Sequence, residues 1–255
     1  MLAHFGLAVL CGSLVGFSLG LIGGGGSVLA VPLLLYVVGE PDPHVVIGTA
    51  ALAVGLNALA NLLVHARGGH VRWRPAALFA GSGVIGAALG SSLGKHVAGQ
   101  HLLGLFALLM MVVAILMQRD GAVPAGASPS GSRPHPGALI GTGVATGALA
   151  GFFGIGGGFL IVPGLRFAAH LTMIEAIASS LVAVSAFGLT TAVSYALAGL
   201  VSWSLAGFYL LGGMAGGLAG AHVSQRLSHH RTALSRLFGV ALVAVAIYML
   251  WRTRG

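Results

Sequence analysis

Two glycine tracts are the residues with the most chemistry to offer. Gly-Leu-Ile-Gly-Gly-Gly-Gly-Ser-Val-Leu-Ala-Val-Pro, at 20–32, returns as Gly-Phe-Phe-Gly-Ile-Gly-Gly-Gly-Phe-Leu-Ile-Val-Pro at 151–163. Aligned without gaps from Gly16 and Gly147, the copies share Gly16, Gly20, Gly23, Gly25, Gly26, Leu29, Val31 and Pro32. Glycine is the costliest residue in a helix after proline, so each tract is expected to break a helix. A short helix then starts at about Ser27 and again at about Gly158. Such a start presents unpaired backbone N–H groups and a partial positive charge, which suit an anion. Gly24, Gly25, Gly26 and Ser27, with Gly156, Gly157 and Gly158, are therefore candidate substrate-binding positions. One tract alone would read as a kink or a packing notch. Two matched tracts, each with a proline six residues on, read as a paired site.

Small polar residues follow on the next apolar run of each half. Thr49 and Ala50 align with Ser179 and Ser180, while Asn57 and Asn61 lie four apart on one helix face. A polar group inside a membrane helix faces the bundle or a wet cavity. Thr49, Asn57, Asn61, Ser179 and Ser180 are thus candidates for substrate contact, with interhelical hydrogen bonding as the competing role. Glu175 fits a capping box, Thr172-Met-Ile-Glu175, and is the one acid placed for proton coupling. His65, His70, His229 and His230 make no metal-ligand spacing, and there is no GxxxxGK[ST] loop. No cofactor, metal or catalytic residue is expected.

These residues must be positioned by a membrane bundle. The chain is 57% hydrophobic and 6% charged, more apolar surface than a soluble domain of this length can hide. The net charge of +8 comes from Lys and Arg scattered in short gaps between apolar runs, which argues against nucleic acid. Cys11 stands alone and excludes an internal disulfide. Met1–Cys11 lacks a basic start and reads as a retained segment. Ten apolar runs divide five and five about a polar Gly/Ala/Pro/Ser stretch. The expected organisation is a membrane repeat at 1–117, a flexible linker at 118–136 and a second repeat at 137–255. The duplication runs on at an offset of 130: Val71-Arg72-Trp73 matches Val201-Ser202-Trp203, and Gly83, Gly86 and Gly90 match Gly213, Gly216 and Gly220. Gly86, Gly90 and Gly94, like Gly212, Gly216 and Gly220, form small-xxx-small packing seams.

Runs such as 27–38 reach only about 18 Å as helix, so 5–38 and 137–169 read as glycine-broken or re-entrant pairs. Each repeat then crosses an odd number of times and the second is inverted. Basic charge agrees. Loop 66–74 carries Arg67, Arg72 and Arg74 while 198–202 carries none; Arg166 lies in 164–171 and no basic residue in 39–43. Asp42-Pro43 should start one helix. The fold class is all-α: a polytopic membrane protein of two inverted repeats of about five segments.

With these motifs the chain resembles the TauE/SafE (TSUP) family of sulfite and organosulfonate exporters. The likeness rests on Gly23–Gly26 with Leu29, Val31 and Pro32, on Ile47-Gly48-Thr49, and on Gly68-Gly69 with Val71-x-Trp73. In the second half it rests on Gly154, Gly156–Gly158, Pro163, Ala178-Ser179-Ser180, Gly199 and Val201-x-Trp203. It implies a transporter of a small sulfur-containing anion in the inner membrane, driven by an ion gradient. Glu40 to Asp42 departs from the plainer loop such a family would have. The expected partners are the anion and the lipid bilayer, with a homo-oligomer left open. Rival readings are a passive anion channel and a membrane-embedded histidine metalloenzyme. Inversion is testable directly: single cysteines in loops 66–74 and 198–202 should label with an impermeant thiol reagent from opposite faces of the membrane. Labelling from one face would end it.

Overall fold

The computed structural model describes residues 2–120, 135–226 and 231–254, and among them every regular element is helical. The first half contains α1 (Leu2–Ile22), α3 (Pro43–Arg67), α4 (Trp73–Gly94) and α5 (Gly99–Asp120). Between α1 and α3 runs a short composite helix over 23–38, here α2. It is 3-10 at Gly23–Leu29, α at Ala30–Pro32 and π at Leu33–Val38. The second half contains α6 (Pro136–Phe153), α7 (Gly158–Ala169), α8 (Met173–Ala196), α9 (Trp203–Arg226) and α10 (Arg231–Arg254). The linker expected at 118–136 falls outside the described residues from 121 to 134.

Among the described residues five helices are long and apolar enough to cross a bilayer: residues 4–21 of α1, then α3, α4, α6 and α8. At 25 residues α3 extends about 37 Å, against a hydrocarbon core of about 30 Å. Their starts follow the sequence. The Asp42 carboxylate accepts from the His44 N–H at 2.8 Å ahead of Pro43. Thr172 and Glu175 form the reciprocal capping box. The broken pairs are hairpins: α1 and α6 are themselves continuous, and the break falls after them.

Backbone contact sets the directions. Cβ atoms built at Gly212, Gly216 and Gly220 of α9 would overlap the carbonyl oxygens of Val9, Ser13 and Phe17 of α1. Those at Gly86 and Gly90 of α4 would overlap the oxygens of Val144 and Ala148 of α6, and one at Gly94 would come 2.7 Å from the Phe152 oxygen. Both pairs therefore run parallel, and each joins a helix of one half to a helix of the other. By contrast, Gly48 of α3 meets Tyr195 near the end of α8, and Gly55 meets Gly188, so α3 and α8 are antiparallel. They hold equivalent places in the two repeats, and equivalent helices running oppositely make the second repeat an inversion of the first. The remaining packing obeys the same exchange: α4 on α8 mirrors α9 on α3, while α2 meets α7 and α5 meets α10.

These contacts make the seam glycines structural. Gly86→Ala or Gly216→Ala should lower the melting temperature of purified protein, because overpacking of about 1–3 kcal/mol outweighs the ~1 kcal/mol of helix propensity gained. Gly81→Ala, whose Cβ has nothing within 4 Å, should be neutral or stabilising. Equal melting of all three variants would overturn the seam assignment.

Candidate functional site

The second glycine tract turns because three of its residues are left-handed: Gly154, Gly156 and Gly157 have φ of 67°, 64° and 65°. Any other residue pays in this region. Gly157 caps α7 through its carbonyl, which accepts from the Leu160 and Ile161 N–H groups at 2.9 and 3.1 Å, and no side chain caps this end. The first tract solves the same problem differently, as the 3-10 turn Gly23–Leu29 that holds Gly24, Gly25, Gly26 and Ser27.

Both turns lie inside the bundle. A Cβ on Gly156 would touch Val54 at 3.3 Å and Val184 at 3.1 Å. Val54 is the twelfth residue of α3 and Val184 the twelfth of α8, so this turn lies at mid-length of both helices. The turn of α2 packs against α7 and α8. Ser27, Gly156, Gly157 and Gly158 are all buried. The second turn thus lies at mid-length of α3 and α8, and the 3-10 turn of the first tract packs on α7 and α8.

The other candidates go elsewhere. Thr49 Oγ1 accepts from the Ser202 N–H at 3.0 Å, and Ser179 Oγ accepts from the Arg72 N–H at 2.9 Å. These are one bond seen twice, since each donor and acceptor is displaced by 130 residues. Each ties the body of α3 or α8 to the residue before α9 or α4. Ser180 Oγ donates to the Ile177 carbonyl at 2.7 Å within α8. Asn57 and Asn61 face Gly213 and Gly217 of α9, and Asn61 Nδ2 donates to the Asn57 carbonyl at 2.9 Å. Glu175 is held twice, by Thr172 in the capping box and by Arg72, whose Nη2 lies 2.6 Å from Oε1. Arg72 was not singled out from the sequence. A basic residue at a loop end gives no hint that its main chain and guanidinium both reach α8.

Substituting Gly26 or Gly157 would not isolate a binding role. A Cβ at Gly26 would lie 2.5 Å from the Leu19 nitrogen and the Ser18 carbonyl carbon. At Gly157 it would lie 2.6 Å from the Ala150 Cβ, on a left-handed backbone. Both changes attack the hairpin itself, so neither isolates binding.

The family profile described as "Sulfite exporter TauE/SafE" matches residues 8–251. The chain belongs to the TauE/SafE family. A "Probable membrane transporter protein" of Xylella fastidiosa strain Temecula1 is 51% identical over 249 residues, covering 95% of this chain and 93% of the relative. Two from Bacillus subtilis strain 168 are more distant: "Probable membrane transporter protein YdhB" at 25% over 84% of the chain and 88% of the relative, and "Probable membrane transporter protein YunE" at 26% over 88% and 89%. No solved structure matches the chain. This TauE/SafE chain is a multi-pass membrane protein, and its relatives mark it as a membrane transporter.

The paired hydroxyl bonds predict a phenotype in the ligand-free protein. Thr49→Ala or Ser179→Ala should each destabilise it by about 1 kcal/mol, the net worth of such a bond. Thr49→Ser and Ser179→Thr should keep it. If the alanine variants melt normally without ligand and lose only ligand-induced stabilisation, these hydroxyls belong to the substrate.

Proposed function

We propose that this TauE/SafE protein is a secondary transporter that moves a small sulfur-containing anion, sulfite or a short organosulfonate, across the inner membrane by alternating access. The observation that carries this reading is the start of α7 without a side-chain cap, after a turn at mid-length of α3 and α8, in a helix that packs on the glycine turn of α2. Helix ends in a dry interior attract an anion without a buried cation, because aligned peptide dipoles leave partial positive charge there. The anion would bind once, shared by Gly24–Ser27 and Gly156–Gly158.

The repeats 1–117 and 137–255 are the units of duplication, but they are poor units of motion. Separating them would pull apart both glycine seams, α1 from α9 and α4 from α6. The moving groups we propose are the seam-bound sets, α1 and α9 with α3 against α4 and α6 with α8. The Thr49–Ser202 and Ser179–Arg72 bonds lie one at each end of the α3–α8 pair. Glu175 is the candidate for coupling to protons, and it would have to leave Arg72 to take one up.

Proteoliposomes test this. Sulfite flux should saturate with concentration and respond to an imposed ion gradient, and purified protein should bind one anion per chain by calorimetry. Flux that stays linear and ignores the gradient would make the protein a channel. Two independent binding events per chain would rule out the shared site. Glu175→Gln should abolish any dependence on the proton gradient while leaving binding intact.

A further inference from the structure

A cavity of about 480 Å³ opens where α2 ends, α3 and α5 begin and α10 ends. That volume lies within the range of small-molecule sites. Its walls carry opposite charges: Glu40 on the loop after α2, and Arg252 on α10. Among the described residues the two make no ion pair with each other or with any third group, the single pair there being Arg72–Glu175. Arg252 is nevertheless held in place. Its guanidinium carbon stands 5.9 Å from the ring centroid of Tyr36, which is braced edge-on by Tyr248 at 5.2 Å. Gln100 adds a carboxamide and Leu103 an apolar floor. On the Glu40 side α2 terminates at Gly39, in the left-handed conformation with φ 86°. A helix C-terminus carries partial negative charge, so it reinforces the carboxylate.

We propose that this cavity is a second binding site, for a small zwitterion. The cationic end of the ligand, an ammonium, would lie against Glu40 and the end of α2, and the anionic end against Arg252 and Gln100. Each charge on the wall lacks a partner across the gap, and a ligand bearing both charges supplies two charge-assisted hydrogen bonds at once. A ligand with one charge leaves the other wall unanswered. The site is independent of the glycine turns, because it lies at the far end of α2 from them. The same chemistry is found in a free amino acid and in the head group of phosphatidylethanolamine. Val37 and Trp251, next in sequence to the lining residues Tyr36 and Arg252, are 45% and 73% exposed, and exposed tryptophan favours the head-group level of a bilayer.

The experiment measures binding to the purified full chain by thermal shift and calorimetry, with β-alanine as the free zwitterion and propionate and propylamine as its single-charge relatives. A second arm compares chain in nanodiscs containing phosphatidylethanolamine or phosphatidylglycerol, with retained lipid read by native mass spectrometry. The proposal expects β-alanine to bind and both relatives to bind at least roughly tenfold more weakly, or phosphatidylethanolamine to be retained over phosphatidylglycerol; the first result identifies a free ligand and the second a lipid. In either case Glu40→Gln and Arg252→Gln should each weaken the interaction roughly tenfold, the size of one lost charged contact, while Arg252→Lys keeps part of it. Both variants lie at the cavity wall, and unchanged melting without ligand shows that they fold. Propionate binding as well as β-alanine, indifference to Glu40→Gln, or no preference in either arm would overturn the proposal.

Discussion

Backbone-to-backbone contact through glycine is the constraint on which this molecule depends. In a bilayer, apolar side chains gain little by leaving lipid for each other, so helices hold together by close packing and by hydrogen bonds. Here α1 lies on α9 and α6 on α4 with carbonyl oxygens where a Cβ would otherwise stand. Each seam joins one helix from each repeat, so the first helix of each hairpin packs most closely on a helix of the other repeat. The glycine turns are a consequence. With α1 and α6 fixed across the seams, α2 and α7 can only return between them, and that return brings the two turns against α3 and α8.

Inverted duplication makes the departures from symmetry informative. Asn57 faces Gly213 where, 130 residues on, Phe187 fills the space at Gly83. Phe79 stacks on Phe187 at 6.3 Å between centroids, and the residue equivalent to Phe79 is Tyr209. One half thus has a carboxamide and a phenol where the other has two phenyl rings. The buried Asn57 carboxamide and Tyr209 hydroxyl have no hydrogen-bond partner among the described residues. The ion pair is one-sided as well: Arg72 and Glu175 correspond to Ser202 and Val45. These substitutions make the two repeats chemically unequal at equivalent places.

Much of this was written in local pattern. Helix starts at Asp42-Pro43 and Thr172–Glu175 depend on groups two or three residues apart, so reading them needs no tertiary information. The four-residue spacing of Gly86, Gly90 and Gly94 announces a seam because small residues on one helix face have little other use in lipid. Which helix fills the seam is another matter, since any apolar neighbour satisfies the pattern.

The sequence by itself therefore determined an all-helical membrane bundle, its duplication and the two glycine breaks, because hydropathy and glycine content act along the chain. Oppositely placed basic loops pointed to inversion, and the antiparallel α3 and α8 bear it out. Tertiary structure decided the rest. Thr49 and Ser179 were candidates for substrate, yet their hydroxyl oxygens accept from main-chain N–H groups 153 and 107 residues away. Asn57 and Asn61 share a face legible from spacing, but only packing turned that face toward α9. For these hydroxyls and carboxamides the partner lies on the other repeat, and a hydrogen bond or a close contact is a matter of distance in space that no spacing along one chain encodes.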